Sequence, residues 1–350
     1  MVMAKNCKDF MRAAFVRQHG SPETLSLETV PDPVPGLGEV LVRIEAVAAN
    51  FVDLLVIEGG YQFLPKLPFV PGKLPAGKIV AIGADVKDLN VGDRVQTLAE
   101  QGGYATHVVV PAKDCIRLPE SMSFAEAAAM GLAYDTAWFA LCERARAKAG
   151  ETMLVLGASG GVGLAAIQLG KAYGLKVLAG ISNEDKRALV LEAGADGVVN
   201  LAAPELRESL RQQVYDQTEK RGADVILDML GGDFFDAAIR AVAWCGRVVV
   251  IGFAAGRIPT LKINYVMLKN MEVSGLQVSD YRKRKPDLMR HCYAEIFRLF
   301  EEKKLHAPPT MTFPLDSVRD ALRQLRNRQV SGRIVLLPSE TPNVAAKPAA

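Results

Sequence analysis

The segment LVLGASGGVGLAAIQLGKAYG (154–174) constrains the fold most, because a β-like run passes through a glycine cluster straight into a helix-like run. At such a junction the unpaired N–H groups of the first helical turn and the positive end of the helix meet, and they favour an anion. Ala158, Gly160 and Gly163 have the spacing of a dinucleotide-binding fingerprint, with alanine in place of the first glycine. Gly160 and Gly161 are expected to let a pyrophosphate approach the backbone, and Gly163 to let the helix lie close on the strand. The segment therefore predicts a cradle for a dinucleotide rather than a glycine turn that serves packing alone.

The pattern along the chain changes near residue 120. From Met11 to about Pro119, short Val- and Ile-rich runs broken by turn residues predict a β-rich barrel or sandwich. After Ser123, which is spaced from Glu126 as in a helix capping box, strand-like and helix-like runs alternate. The strand candidates are TMLVLGA, KVLAGIS, GVVNL, ADVILDML and GRVVVIGF. Apolar strands that alternate with helices are typical of a parallel sheet covered on both faces, so the predicted fold class is α/β.

Composition limits the classes of function. The chain has 350 residues, enough for two domains, and its formal net charge of +3 gives no support for a nucleic-acid or membrane-surface partner. Its five cysteines are scattered without a CxxC pair, which predicts no zinc or redox motif and a reducing compartment. No apolar run approaches the ~20 residues of a membrane span, and MVMAKNCKDF lacks the apolar core of a secretion signal. These features favour a cytoplasmic protein with a small-molecule partner.

The end of the second strand of the βαβ unit indicates which dinucleotide is bound. A site that prefers NAD places Asp or Glu there to bind the ribose 2′-hydroxyl, whereas this chain has Ile181 and Ser182. Without that carboxylate a 2′-phosphate is not repelled, and Lys186 or Arg187 is expected to pair with it. The predicted cofactor is NADPH. An ordinary surface role for Lys186 remains the alternative.

Eight motifs lie between Met11 and Leu337: GSPETLSLETVPDPVPGLGEVLVRI, AVAANFVDL, GGYQFLPKLPFVPG, VGDRV, GGYATHVVVPA, GASGGVG, VILDMLGG and SGRIVL. Together they resemble the medium-chain dehydrogenase/reductase superfamily, and within it the zinc-free quinone oxidoreductase branch of the zeta-crystallin type. The resemblance implies a GroES-like β-rich catalytic domain (11–131 and 271–338) and an inserted Rossmann NADP-binding domain (132–270). The sequence of the two ends, 1–10 and 339–350, predicts flexible tails. It also implies a nicotinamide cleft between the domains and a homodimer.

The resemblance also bears on metals. In the alcohol dehydrogenase relatives, Cys, His and Cys hold a catalytic zinc, and this chain has Asn50, Lys73 and about Leu132 at those positions. None of these three side chains is an ordinary zinc ligand, and the four-cysteine structural zinc lobe is missing from the sequence. Without a Lewis acid, alcohol oxidation is disfavoured, whereas reduction of quinones and enones stays feasible. The predicted chemistry is zinc-independent.

Site residues follow from the same resemblance. Asn50 is expected to contact the nicotinamide region, and Tyr61 to hydrogen-bond a substrate carbonyl or relay a proton. A structural role remains open for both, with Asn50 and Asp53 pinning a turn and Tyr61 packing. The substrate pocket is assigned to Leu55, Ile57 and Tyr134. The cofactor is assigned, besides Asn50, to Thr136, Ser159, Gly160, Gly161, Val162, Gly163, Ser182, Lys186, Gly252, Phe253, Leu276, Val278 and Arg328.

Three departures from the family pattern alter the expected substrate. Leu55, Ile57 and Leu74 stand where many members have Tyr, Arg and an acid, which predicts a more apolar pocket and a larger or more hydrophobic enone. The leading hypothesis is an NADPH-dependent reductase of quinones or α,β-unsaturated carbonyl compounds. The alternatives are an enoyl-thioester reductase, a catalytically weak NADPH-binding protein like the crystallins, and a single-stranded RNA-binding protein.

Overall fold

The structure is a computed structural model that describes residues 10–339. The chain divides into two units: the residues up to Gly131 together with those from Pro309 onward form the first, and Leu132–Pro308 form the second. Within the part of the chain that is described, none of the helices has the length and apolarity needed to span a bilayer.

Strands and helices follow the predicted change of pattern, with strands dominating up to residue 117 and an alternation after residue 150. The strands are β1 (Phe10–Phe15), β2 (Ser26–Pro31), β3 (Glu39–Ala49), β4 (Ala76–Ile82), β5 (Arg94–Thr97), β6 (His107–Pro111), β7 (Cys115–Arg117), β8 (Thr152–Leu156), β9 (Lys176–Ile181), β10 (Gly197–Asn200), β11 (Ala223–Asp228), β12 (Val242–Val250), β13 (Glu272–Gly275), β14 (Thr310–Pro314) and β15 (Arg333–Leu337). The α-helices are α1 (Phe51–Glu58), α2 (Phe124–Met130), α3 (Ala133–Trp138), α4 (Gly161–Ala172), α5 (Arg187–Glu192), α6 (Leu206–Gln217), α7 (Gly232–Ala238), α8 (Asn264–Lys269), α9 (Val278–Arg284), α10 (Pro286–Glu301) and α11 (Val318–Arg326).

The first unit is built around the long strand β3. Its main sheet has the order β14–β15–β3–β4–β5–β7, and β6 pairs with β3 as well. β3 is antiparallel to β4, β6 and β15, and most of its side chains are buried. Because β15 joins β3, the C-terminal part of the chain completes the sheet that the N-terminal part begins. This confirms the expected GroES-like β-rich domain made from both ends of the chain.

The second unit contains a parallel sheet with the order β10–β9–β8–β11–β12–β13. Every residue of β8 is buried, as expected for a strand covered on both faces. β8 is the first strand of this sheet along the chain, and the strand order reverses between it and β11. In sheets of this kind, ligands bind beyond the carboxyl ends of the strands at that reversal point. The predicted Rossmann fold is confirmed.

The Ala-rich segment after Ser123 contains the boundary between the units. The Ser123–Glu126 capping box is confirmed: the Ser123 N–H donates to Glu126 Oε2 (2.8 Å) and the Glu126 N–H to Ser123 Oγ (3.2 Å). Helix α2 then ends, and Leu132 adopts the unfavourable φ of 56° before α3 begins. The helical segment is therefore interrupted at the boundary between the two units.

One predicted domain boundary needs correction. Residues 271–308, which were assigned to the GroES-like domain, belong to the second unit. β13 extends the parallel sheet by pairing with β12, and α10 packs on α3, so these residues share the core of the Rossmann unit. Most of the predicted tails, 1–10 and 339–350, lies outside the described residues. Phe10 begins β1, and the Ser339 hydroxyl donates to the Ile44 carbonyl (2.6 Å).

Candidate functional site

The glycine loop lies between β8 and α4. Gly157 has φ of 79°, and the Gly160 N–H closes the turn onto the Gly157 carbonyl (3.1 Å). A Cβ on Gly163 would lie 2.5 Å from the Gly157 oxygen and 2.6 Å from the Ala158 Cα, so packing of helix on strand requires this glycine. A Cβ on the exposed Gly160 would lie 3.4 Å from the Gly157 oxygen, an ordinary contact. The fold therefore does not require a glycine at 160, whereas a phosphate that approaches the backbone does. The loop fits a dinucleotide.

Other predicted cofactor residues gather at the same edge of the sheet. Half-buried Ser159 and Val162 belong to the glycine loop or the first turn of α4, and half-buried Gly252 and Phe253 follow β12. Leu276 follows β13, and its N–H donates to the Val250 carbonyl at the end of β12 (3.0 Å). Val278 begins α9. Because the strands are parallel, their carboxyl ends bring these loops together.

Asp228 is a residue at this edge that was not predicted. It ends β11 next to β8, is fully buried, and its Oδ1 accepts from the Leu230 and Gly231 N–H groups at 2.9 Å each. Burial raises the pKa of Asp228, against the effect of these two hydrogen bonds. The carboxyl group holds the turn after β11 at the carboxyl edge of the sheet. The sequence signal for it was available in the motif VILDMLGG.

The turn after β9 has no acid at the strand end, as expected. Ser182 there is exposed and Lys186 half-buried, and the Asn183 Oδ1 accepts from the Asp185 N–H (2.9 Å). Arg187, the other cation proposed for a 2′-phosphate, forms an ion pair with Glu184 (3.1 Å). Lys186 stays the predicted partner of a 2′-phosphate.

Tyr134 and Thr136 lie on α3 in the second unit. Tyr134 is 1% exposed and its hydroxyl donates to the His306 carbonyl (2.7 Å), which gives it a packing role, and its predicted place in a substrate pocket stays a prediction. The Thr136 hydroxyl donates to the Leu132 carbonyl (2.5 Å) inside its own helix. Between them, Asp135 is fully buried and accepts from Arg282 (2.6 Å) and from the Tyr293 hydroxyl (3.3 Å). This buried pair joins α3 to α9, the helix that begins at the predicted cofactor residue Val278.

The first unit contains a buried polar network around Asn50. The Asn50 amide donates to the Ala48 carbonyl (3.1 Å) and accepts from Arg333 (2.7 Å). Asp53, also buried, accepts from the Asn50 N–H and from the Tyr104 hydroxyl, both at 2.8 Å. Desolvation raises the pKa of Asp53, although these hydrogen bonds and the charge of Lys73 oppose the rise.

This network gives Asn50 a structural role. Both ends of its amide are engaged within the first unit, where they hold the start of α1, and the cofactor contact that the resemblance implied stays a prediction. Sequence reasoning missed Tyr104 and Arg333 as partners, although both stand in quoted motifs, GGYATHVVVPA and SGRIVL. The three-residue spacing of Asn50 and Asp53 was the local signal for the turn.

Lys73 lies beside this network. Its ammonium is 2.5 Å from Glu100 Oε2 and 5.9 Å from the centre of the Tyr61 ring, and its side chain is 8% exposed. Tyr61 is half-buried and also contacts Phe63 edge-on (6.4 Å between ring centres). Lys73, Glu100 and Tyr61 thus form a compact cluster, which we call the Lys73 cluster. Nothing in the local sequence indicated Glu100.

The remaining predicted residues of the first unit differ in how far they are buried. Leu55 is half-buried on α1, whereas Ile57 is 0% exposed and packs in the core. Leu74 is 1% exposed as well. Core packing therefore accounts for Ile57 and Leu74, and the predicted apolar substrate pocket stays a prediction that Leu55 supports best. Arg328 is exposed after α11 with φ of 56°.

The residues at the zinc positions do not fit a zinc ion. The Asn50 amide is engaged by a carbonyl and an arginine, and Lys73 brings a positive charge paired with Glu100. Zinc is bound by thiolate, imidazole or carboxylate groups, and an ammonium repels it. Among residues 10–339, no group of three or more His, Cys, Asp or Glu side chains converges as a metal site.

Comparisons with known proteins agree with this architecture. Residues 36–120 match the family described as alcohol dehydrogenase GroES-like domain, and residues 161–294 match the family described as zinc-binding dehydrogenase. The chain is 34% identical to quinone oxidoreductase-like protein 2 of Bos taurus over 333 residues, covering 95% of this chain and 94% of that protein. It is 33% identical to quinone oxidoreductase of Homo sapiens over 330 residues, covering 93% and 98%.

Solved structures give the same result. A Pseudomonas syringae pv. tomato quinone oxidoreductase has a TM-score of 0.86 at 28% identity, covering 94% of this chain and 100% of that one. A mycobacterial protein in complex with NADPH has a TM-score of 0.87 at 29% identity with the same coverage. The JamJ enoyl reductase has a TM-score of 0.83 at 26% identity, covering 93% and 99%. With two matched domains and relatives aligned over nearly their whole length, the chain belongs to the medium-chain dehydrogenase/reductase superfamily of oxidoreductases, among its quinone oxidoreductase-like members.

Proposed function

We propose that this protein is an NADPH-dependent, zinc-independent reductase that transfers a hydride to quinones or α,β-unsaturated carbonyl compounds. The observation that supports it most is the glycine loop after β8, where Gly160 leaves room that packing does not use. The nucleotide is supported by the uncharged end of β9, by Lys186 next to it, and by the NADPH-bound structural neighbour. The acceptor class is supported by the relatives named quinone oxidoreductase.

The chain's own groups have separate tasks in this proposal. NADPH supplies the hydride when it is bound. The backbone of Gly160 and Gly161 would bind its pyrophosphate at the start of α4, and Lys186 its 2′-phosphate. Half-buried Tyr61 is the residue proposed to meet the substrate, and Asn50 acts by holding the backbone at the start of α1.

Reduction of enoyl thioesters is a second candidate function. The JamJ enoyl reductase neighbour favours it, and enones and enoyl thioesters share the carbonyl-conjugated double bond that accepts a hydride. The chemistry demanded of the chain is the same, namely binding of the cofactor and stabilisation of charge on the carbonyl oxygen. Only turnover rates separate these two substrates.

An acceptor panel tests the proposal. NADPH and NADH oxidation is measured side by side with naphthoquinones, enones, enals and crotonyl thioesters, before and after treatment with a chelator. We expect kcat/KM to be at least about tenfold higher with NADPH, the value of one charge-assisted contact, and no loss on chelation. Tight NADPH binding without oxidation by any acceptor would refute the reductase function and indicate a catalytically idle NADPH-binding protein. A crotonyl thioester reduced faster than every quinone would reverse the order of the two functions.

The nucleotide preference has its own control in the same panel. Lys186→Glu is expected to lower kcat/KM for NADPH about tenfold or more, because a like charge then faces the 2′-phosphate, and to leave NADH little changed. Lys148→Glu serves as the matched change, since exposed Lys148 precedes β8 at the opposite edge of the sheet. Equal effects of Lys186→Glu on both cofactors would refute the assignment of Lys186 to the 2′-phosphate.

We also infer a homodimer. Within residues 10–339, β13 is the last strand in the sheet order of the second unit, and Ile263, Met267 and Leu268, which precede it along the chain, are 74%, 70% and 66% exposed. Strand edges without a partner and exposed apolar side chains are surfaces that proteins normally cover, and a second copy joined by a two-fold axis covers both edges at once. Sedimentation velocity is expected to give twice the chain mass of 37.8 kDa. Met267→Glu should yield monomers, and a wild-type monomer at micromolar concentration would refute the inference.

A cytoplasmic location is the corresponding proposal for the compartment. Four cysteines within residues 10–339, Cys115, Cys142, Cys245 and Cys292, form no disulfide, which suits a reducing environment. Fractionation of the source cells checks it, and recovery of the protein only from an oxidising compartment would contradict it.

A further inference from the structure

Lys73 lies on a loop whose backbone is held by hydrogen bonds on both sides. The carbonyls of Val70, Pro71 and Gly72 accept from the N–H groups of Gly102, Tyr104 and Gly103, respectively (2.8–2.9 Å). On the other side of Lys73, the Leu74 N–H donates to Ala99 (2.8 Å), and the buried Gln96 amide donates to the Leu74 carbonyl (2.5 Å). Backbone bonds on both sides of Lys73 therefore set its position before any ligand arrives.

The backbone on either side of Lys73 is in rare conformations. Gly72 has φ of 92°, and a Cβ there would lie 2.4 Å from the Tyr104 ring. Leu74 has φ of 52°, which costs a residue with a side chain about 1 kcal/mol or more. The left-handed turn buries Leu74, while Lys73 reaches Glu100 and Tyr61. Such strain persists where the surroundings over-determine it, commonly at functional sites.

Stability alone does not account for a charge at this place. Removing an ammonium from water is costly, and a largely buried ion pair seldom contributes more than an apolar pair of the same volume. Lys73 is 8% and Glu100 30% exposed at the side chain, so the pair also sits at a boundary with solvent. Lys73 occupies one of the positions that hold zinc in the related alcohol dehydrogenases. A positive charge is thus present where those relatives place a positive ion.

We propose that the Lys73 ammonium donates a hydrogen bond to the substrate carbonyl oxygen and stabilises the negative charge that this oxygen gains. The inference rests on the proposed reductase function and identifies the group that takes over the electrostatic task of the metal. In an enone reduction, NADPH would supply the hydride that forms the C–H bond at the β-carbon and would itself become NADP⁺. The C=C π pair would then form the double bond between the α-carbon and the carbonyl carbon, and the carbonyl π pair would move to the oxygen. Water would finally supply the proton at the α-carbon, which restores the carbonyl group. Glu100 holds the ammonium, and Tyr61 lies against it.

A chromophoric phenol tests the site without turnover. 4-Nitrophenol resembles a reduced quinone, and the absorbance of its phenolate reports the charge on its oxygen. In the wild type the bound phenol should have its pKa lowered by about one unit, a tenfold shift toward phenolate, because a cation favours the anion. Lys73→Met should abolish that shift. Glu100→Gln should lower the pKa of the bound phenol further, since it removes an opposing negative charge.

The opposite signs of these two variants exclude a general loss of structure as the explanation. Lys78→Met, on half-buried Lys78 of β4 in the same sheet, is the matched control and should behave as the wild type. Equal pKa values for the phenol bound to wild type and Lys73→Met would overturn the proposal. So would failure of the wild type to bind the phenol, or a Glu100→Gln shift in the opposite direction.

Turnover provides the second readout. Lys73→Met should lower kcat for enones or quinones about 10²-fold, the typical loss of one hydrogen-bond donor to a developing oxyanion. NADPH affinity, measured by fluorescence titration without an acceptor, should stay within about twofold. An unchanged kcat in Lys73→Met would overturn the role of Lys73 while leaving the reductase function intact. A wild type that reduces no acceptor would instead refute the reductase function, and the phenol titration would still decide whether Lys73 binds an anionic oxygen.

Discussion

Asp135→Ala is expected to lower the free energy of unfolding by about 3–5 kcal/mol, because it leaves the Arg282 guanidinium buried without its carboxylate. Asp135 is fully buried and 2.6 Å from Arg282, whose side chain is 4% exposed, and the Tyr293 hydroxyl loses its acceptor at the same time. Urea unfolding followed by circular dichroism measures the effect. A loss below about 1 kcal/mol would contradict the prediction, because that is the contribution expected of a solvent-exposed ion pair.

Two further variants control this experiment. Glu184→Ala removes a carboxylate from the exposed ion pair with Arg187 and should change stability by no more than about 0.5 kcal/mol. The double change Asp135→Leu with Arg282→Met should recover much of the loss, because an apolar pair carries no desolvation penalty. If the double variant is as unstable as Asp135→Ala alone, an uncompensated charge is not the cause.

Gly163→Ala is expected to lower the stability of the fold, whereas Gly160→Ala is expected to lower the affinity for the cofactor. The Cβ on Gly163 meets backbone at 2.5 Å, so Gly163→Ala should cost about 1–3 kcal/mol of stability. The Cβ on Gly160 meets nothing closer than 3.4 Å, so Gly160→Ala should keep stability within about 0.5 kcal/mol. Its methyl group instead projects where the pyrophosphate must approach, and NADPH affinity should fall at least about tenfold.

Thermal unfolding and fluorescence titration with NADPH separate the two effects. Each variant serves as the control for the other, since both add one methyl group to the same loop. Unchanged NADPH affinity in Gly160→Ala would remove the main support for the cofactor site. A fully stable Gly163→Ala would show that α4 can move away from β8 at little cost.

Local patterns predicted the fold wherever neighbouring residues determine it. The glycine spacing around Gly160 and the apolar run of β8 are properties of short segments, as is the Ser123–Glu126 capping box. The boundary at residue 270 was placed wrongly because it depends on a non-local contact. β13 is too short to reveal its partner, and only its pairing with β12 assigns residues 271–308 to the second unit.

The candidate site was predicted less completely than the fold. Family resemblance assigned Asn50 to the cofactor and Ile57 to the substrate pocket, but it could not give the contacts of their side chains. In the structure the Asn50 amide bonds Arg333, which is 283 residues away, and Ile57 faces the core. Glu100 is 27 residues from Lys73 and has no sequence signal of its own. Such contacts depend on how strands from distant parts of the chain are arranged.

By itself, the sequence determined the α/β class, the dinucleotide loop and the lack of an acid at the end of β9, because each follows from residue type and spacing within about 30 residues. Only the tertiary structure decided which polar side chains are engaged by one another. Whether Asn50 holds a turn, whether Ile57 is core, and whether Lys73 is paired depend on partners that folding supplies. A buried polar group needs a hydrogen-bond partner, and the identity of that partner is a property of the packed molecule rather than of the segment that contains the group.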